Sequence, residues 1–170
     1  MSARLTAIAA ILALCAPPAL AAPAPHMAET SFAELKTPLP YPYDTAADAD
    51  AVVAAAKARA KAEHKLLAID LGGDWCPDCR ILAGTIELPE LKAFVEAHYV
   101  WVTVDVGRFD KNGQIPAHYG IKGRLEGVPS VLVVEPRTDR LVDEGHTAAL
   151  ADARSMTPQA LADWLAQWTP

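Results

Sequence analysis

The sequence predicts an α/β fold in which a central mixed β-sheet carries helices on both faces. First, the apolar run Leu66–Leu71 leads into a Cys-x-x-Cys spacing, Cys76–Cys79, at the start of a helix-compatible stretch. Second, the alternating run Tyr99–Val106 follows that helical stretch, and strands joined by a helix run parallel, with a right-handed crossover. Third, an apolar run at Ser130–Val134 and a short run at Arg140–Glu144 flank a turn, which predicts an antiparallel hairpin.

Residues 1–21 are typical of a secretory signal peptide. Arg4 is their only charge, Leu5–Ala16 form an apolar core, and Ala19–Ala21 fits a small-x-small cleavage site. The apolar run is too short, and too interrupted by prolines, to span a bilayer. We therefore expect a periplasmic or otherwise exported protein without stable membrane insertion after signal cleavage.

Cys15 lies within this segment and offers an alternative, a lipidated N-terminus. Leu12 stands three residues before it, as a lipoprotein signal requires, but Leu14 stands directly before it, where a small residue is expected. We favour a small apolar residue in a signal core. Processing then leaves two cysteines, Cys76 and Cys79.

Residues 22–46 form an extended lead-in, because prolines at alternate positions favour extended backbone. We expect its two tyrosines, Tyr41 and Tyr43, to pack against the domain rather than to bind a partner. Residues 47–170 then form one domain. Besides the strands named above, it contains helices over Ala47–His64 with Asp48 as cap, Cys76 to about Gly84, Glu90–His98, Gln114–Tyr119, and a last helix capped by Thr157.

The Cys-x-x-Cys pair is a candidate redox site. Cys76 at a helix N-terminus faces unpaired N–H groups that favour its thiolate, and Cys79 one turn later is placed to attack a mixed disulfide on Cys76. A bridge over so short a loop adds little stability, so a chemical role is favoured over a structural one. Asp70, in an apolar strand, is expected to have a raised pKa suited to proton transfer. Alternatively, Asp70 is a structural polar residue at the end of the strand, hydrogen-bonded to the backbone.

These motifs resemble the thioredoxin superfamily from about Leu66 to Trp168. The resemblance rests on Trp75-Cys76-Pro77-Asp78-Cys79-Arg80, the later Gly127-Val128-Pro129 and the order of elements. It implies a thioredoxin-like fold in which Cys76 is the attacking cysteine and Cys79 the resolving one. It also implies that Trp75 is the aromatic residue beside the site and that Asp70 is the buried acid. Pro129 would be a cis-proline that faces the disulfide, and the backbone of Val128 would pair with the substrate. Without the resemblance, Pro129 is interpreted as an ordinary proline that leads into a strand.

Some positions depart from the pattern of the superfamily. Gly72 stands where an aromatic residue is common, which predicts a more open site. Trp101 stands near the place of a lysine that partners the buried acid. Asp74 and Asp78 flank Cys76 and disfavour its thiolate, which Arg80 partly offsets; a less stabilised thiolate predicts a reductant.

The sequence thus predicts an exported thiol–disulfide oxidoreductase that reduces protein disulfides through Cys76 and Cys79. Its partners are protein substrates with disulfides or thiols and an upstream dithiol reductant or redox partner; no cofactor is expected. One alternative is a disulfide oxidase or isomerase using the same residues. Another is a copper- or zinc-delivery protein that uses both cysteines, assisted by His98, His118 or His146, although none of these histidines has ligand spacing to them.

Two functions are disfavoured. A net charge of −6 without a basic stripe argues against nucleic-acid binding. Arg80 follows the second cysteine where covalent haem attachment needs a histidine.

Overall fold

A computed structural model describes residues 21–170 of the chain. The predicted signal peptide, apart from Ala21, and the lipidation alternative at Cys15 lie outside the described residues. Over the range from 21 to 170, no helix has both the length and the apolar character needed to cross a membrane.

A four-stranded mixed sheet forms the centre of the domain, in the order β2-β1-β3-β4. Its strands are β1 (Leu66–Gly72), β2 (Tyr99–Asp105), β3 (Ser130–Glu135) and β4 (Arg140–Leu141). Strand β1 pairs parallel with β2 and antiparallel with β3, which in turn pairs antiparallel with β4. The predicted parallel pair, hairpin and mixed sheet are confirmed.

Five α-helices and two short 3₁₀ turns complete the described part of the chain. The helices are α1 (Ala49–Glu63), α2 (Pro77–Ile86), α3 (Pro89–His98), α4 (Gln114–His118) and α5 (Pro158–Ala166); the 3₁₀ turns cover Phe32–Glu34 and Ala153–Ser155. Asp48 accepts from the Ala51 N–H at the start of α1, and Thr157 from the Ala160 N–H at the start of α5. Both predicted N-caps are therefore confirmed.

Apolar residues cover both faces of the sheet, so two cores sandwich it. Val100 and Val104 of β2 join Leu67 and Ile69 of β1 in the core that contains α1 and α4. Tyr99 instead joins the opposite core, which contains α3 and α5. The alternation predicted for β2 is therefore confirmed, because successive side chains of a strand point to opposite faces.

Strand β4 is shorter than the predicted run Arg140–Glu144. The reason is Asp143, whose carboxylate accepts the Val133 N–H at 3.0 Å, where a continuing partner strand would offer a backbone carbonyl. Asp143 is fully buried, and burial raises its pKa to about 7.

The lead-in lies along the domain and is fastened to it by polar contacts. Gln159 of α5 accepts the Met27 N–H at 3.0 Å, and Arg80 of α2 donates to the carbonyls of Leu39 and Pro40 at 2.6 and 3.0 Å. The packing predicted for Tyr43 is confirmed, since it is 3% exposed.

Tyr41 differs from that expectation. It is 66% exposed, and its ring carries the Arg80 guanidinium 3.8 Å from the centroid. The ring therefore lies on the surface under an arginine rather than in the core.

Candidate active site

Cys76 is the N-cap of α2, as the sequence predicts, and Pro77 takes the first helical position. The Cys79 N–H donates to Cys76 Sγ at 3.2 Å. Hydrogen bonds from the Cys79 side chain and backbone lower the pKa of Cys76 to about 7, against the effect of burial. This thiol can therefore lose its proton near neutral pH.

The pKa of Cys79 is shifted in the opposite direction. Its side chain is fully buried, and both the hydrogen bond with Cys76 and burial raise its pKa far above the usual value. Both cysteines are free thiols. The pair therefore consists of one ionisable sulfur at the helix start and one protonated sulfur behind it.

The segment before β3 closes over the sulfur of Cys76. The Val128 carbonyl oxygen lies 3.3 Å from Cys76 Sγ and accepts its S–H. The peptide bond between Val128 and Pro129 is cis, which confirms that prediction. The structure thus brings Val128 and Pro129 to the cysteines.

Asp70 lies on β1 with only 1% of its side chain exposed. Desolvation raises its pKa to about 7, although hydrogen bonds from Tyr43 and Trp101 favour the charged form. The Tyr43 hydroxyl donates to Asp70 Oδ1 at 2.9 Å. The expected buried acid is present, and Trp101 faces it as a hydrogen-bond donor rather than as a charge.

The open site expected at Gly72 is absent, because Tyr43 fills the space. A Cβ on Gly72 would lie 2.4 Å from Tyr43 Oη and 2.8 Å from Cys79 Sγ. An aromatic ring from the lead-in thus takes the place that an aromatic residue at position 72 would occupy. Gly72 has no side chain, which leaves the volume that the Tyr43 ring occupies.

The charge pattern around Cys76 also differs from expectation. Arg80 turns away toward the lead-in, so it does not offset the acidic residues. Arg154 offsets the charge of Asp78 instead. Its guanidinium Nε lies 2.9 Å from Asp78 Oδ1 and its Nη2 pairs with Oδ2, while its backbone N–H also donates to Oδ1. These bonds lower the pKa of Asp78, although its burial opposes this effect. No sequence signal pointed to Arg154, which lies in the 3₁₀ turn Ala153–Ser155, far along the chain from Asp78.

Trp75 flanks the site on the solvent side, where it is 38% exposed. Its Nε1 donates to the Gly107 carbonyl at 2.7 Å, and its ring carries the Arg108 guanidinium at 4.4 Å. Phe109, at φ 69°, places its ring 5.9 Å from that of Trp75. The aromatic beside the site is thus held by several contacts in a half-exposed position.

The described residues do not form a group of side chains suited to bind a metal ion. Between residues 21 and 170, no three His, Cys, Asp or Glu side chains form a group that could hold one. The three histidines considered above have other neighbours: His118 contacts Asp139 at 2.8 Å, and the rings of His98 and His146 lie beside aromatic side chains.

Comparison with known proteins agrees with this geometry. The profile of a family described as thioredoxin-like matches residues 48–136. The solved structure of a disulphide isomerase from Xylella fastidiosa Temecula1 is 34% identical, with a TM-score of 0.69 over 76% of this chain and 97% of that one. A protein of unknown function from Pseudomonas aeruginosa, PA1234, is 20% identical over 72% of this chain and 86% of that one, with a TM-score of 0.37. Comparison with curated proteins gave no match.

Proposed function

Because this chain belongs to the thioredoxin-like family, we propose that it is a thiol–disulfide oxidoreductase that acts outside the cytoplasm and reduces disulfides in protein substrates. The observation that carries this proposal is the asymmetry of the two thiols. Cys76 has a pKa of about 7 at the helix start, whereas the buried Cys79 keeps its proton. Exchange needs such a pair, one sulfur to attack and one to resolve.

In the proposed cycle, the Cys76 thiolate attacks one sulfur of a substrate disulfide. A bond forms between Cys76 and that sulfur, the substrate disulfide breaks, and the other substrate sulfur leaves as a thiolate. Cys79 then loses its proton and attacks Cys76 Sγ, which forms the Cys76–Cys79 disulfide and releases the second substrate thiolate. Two electrons have moved to the substrate, and an upstream dithiol reductant must restore the oxidised protein.

We assign the supporting roles as follows. Asp70 accepts the proton of Cys79, because its pKa of about 7 lets it act as a base near neutrality. Trp75, Val128 and Pro129 bind the substrate: Trp75 directly precedes Cys76 and is partly exposed, and the Val128 carbonyl next to Pro129 lies 3.3 Å from Cys76 Sγ. An extended substrate segment pairs with the Val128 backbone.

The reducing direction is supported by the moderate acidity of Cys76. The attacking thiol of a strongly oxidising dithiol has a pKa of about 3.5, whereas that of a reducing dithiol has a pKa of about 7. Asp78 contributes to this value, because its negative charge raises the pKa of Cys76. Export is supported by the signal-like residues 1–21.

Disulfide isomerisation is a second candidate function, favoured by the similarity to the Xylella structure. Isomerisation uses the same attack by Cys76, but the substrate resolves the mixed disulfide itself. The reduction potential separates the two. A reduction potential of about −270 mV or lower supports a reductase, and one of about −180 mV supports an isomerase.

The test uses the chain without residues 1–21, equilibrated with dithiol buffers of known potential and then assayed for reduction of a disulfide peptide. We expect the wild type to reduce the peptide and the Cys76→Ala variant to be inactive. A Cys76→Ala variant as active as the wild type would refute the assignment.

A further inference from the structure

Tyr43 lies where the resolving thiol and the buried acid approach each other. Its hydroxyl donates to Asp70 Oδ1 at 2.9 Å and also contacts the Cys79 side chain. Both Tyr43 Oη and Cys79 Sγ lie within 3 Å of the point where a Cβ of Gly72 would stand, at 2.4 and 2.8 Å. With 3% of its surface exposed, Tyr43 leaves little access for water between these groups.

We propose that Tyr43 carries the proton between Cys79 and Asp70 during the resolving step. A tyrosine hydroxyl can accept one hydrogen bond while it donates another. Once Cys76 is held in the mixed disulfide, the Cys79 S–H can therefore donate to Tyr43 Oη while Tyr43 donates to the Asp70 carboxylate. This inference rests on the proposed function and assigns a residue of the lead-in, outside the stretch 48–136 that matches the family profile, to the chemistry.

The proton transfer balances as follows. As Cys79 Sγ attacks Cys76 Sγ, its proton passes to Tyr43 Oη, and the phenol proton passes to Asp70. Tyr43 ends as a phenol again, and Asp70 ends protonated. Burial and the neighbouring Asp70 raise the pKa of Tyr43 far above its usual value, so the phenol does not persist as an anion.

The backbone around Tyr43 is held on both sides, which fixes the hydroxyl. Asp74 accepts the Tyr43 N–H at 3.2 Å, and Thr103 donates to the Pro42 carbonyl at 2.8 Å. Gly72 leaves the space that the ring needs, because even a methyl group there would overlap the phenol. The lead-in is therefore part of the active site rather than only a covering of the domain.

The test removes the hydroxyl and keeps the ring, with the Tyr43→Phe variant. Single-turnover reduction of a fluorescent disulfide peptide separates the two steps, because a Cys79→Ala background stops after the mixed disulfide. We expect Tyr43→Phe to leave the first step unchanged and to slow the resolving step, on the order of tenfold or more. The pH profile of resolution should also lose its inflection near the pKa of Asp70.

Two comparisons distinguish a relay from a structural effect. Tyr99→Phe also deletes a buried tyrosine hydroxyl, one that donates to the Leu165 carbonyl at 2.6 Å, and should leave both steps unchanged. In an Asp70→Asn background, Tyr43→Phe should add no further slowing, because the acceptor is already gone. An equal slowing in both backgrounds would overturn the relay, as would a wild-type resolving rate and pH profile in Tyr43→Phe.

A proton inventory on the wild-type protein does not depend on any variant folding. Resolution in mixtures of H₂O and D₂O should show two protons in transfer, whereas a single proton would overturn the inference. If the wild type forms no mixed disulfide through Cys76, the proposed function itself fails. If it forms one and resolves it with a single proton, only the role of Tyr43 fails.

Discussion

Replacing Asp70 by asparagine should change how stability depends on pH. Asp70 is buried, and its pKa is raised from 3.8 to about 7 in the folded protein. Below the unfolded pKa the group is protonated in both states and has no effect. As pH rises toward 7, the unfolded state releases this proton while the folded state retains it, so the free energy of unfolding falls.

The size of this effect follows from the two pKa values. Between 3.8 and about 7, at about 1.4 kcal/mol for each pH unit, the loss amounts to about 4 kcal/mol. The Asp70→Asn variant lacks this loss. Relative to the wild type, it should therefore gain about 4 kcal/mol of stability between about pH 4 and about pH 8. Any constant effect of asparagine on packing cancels in this difference.

The assay is urea denaturation of both reduced proteins at a series of pH values. Asp139→Asn is the matched control, because the pKa of Asp139 is lowered to about 2, by Lys57 among others, and the group is ionised in both states over most of this range. Its difference from the wild type should be nearly flat. A gain below about 1 kcal/mol for Asp70→Asn would mean that Asp70 ionises at an ordinary pKa and holds no proton near neutrality.

Three further perturbations probe the surroundings of the thiols. Alkylation of the reduced protein by limiting iodoacetamide should label Cys76 first, with a rate that rises through a midpoint near pH 7, and preferential labelling of the second cysteine would refute this order. Arg154→Gln should move that midpoint to higher pH, because Asp78 keeps its charge beside the thiol without its cation, and an unchanged midpoint would exclude such tuning. Gly72→Ala should lower the free energy of unfolding by about 1–3 kcal/mol, because its methyl group would overlap the Tyr43 hydroxyl. The control Gly113→Ala should change the free energy of unfolding little, because no atom lies within 4 Å of the new Cβ. Equal changes in the two variants would contradict the close contact at Gly72.

Local patterns were sufficient to predict most of the fold. Alternation placed the valines of β2 in one core, and polar caps marked the starts of α1 and α5. The end of β4 was missed because it depends on a side chain, Asp143, that replaces a backbone partner of β3. Such a substitution leaves no periodic signal in the sequence.

The thiols and the buried acid of the site were also predictable, since their chemistry follows from residue type and from position on a strand or helix start. The contacts that adjust this chemistry were not. Tyr43 lies 27 residues before Asp70, and Arg154 lies 76 residues after Asp78. In each pair the two partners lie far apart in the chain and on different segments, so only the folded chain shows that the lead-in and the late 3₁₀ turn complete the site.

The central claim is that Cys76 attacks disulfides and Cys79 resolves the product, and trapping tests it most directly. The Cys79→Ala and Cys76→Ala variants would each be mixed with a disulfide peptide and analysed by mass spectrometry without reductant. We predict that Cys79→Ala accumulates a mixed disulfide on Cys76 and that Cys76→Ala accumulates none, because the remaining thiol keeps its proton. A stable adduct on Cys79, or no adduct on Cys76, would contradict the account.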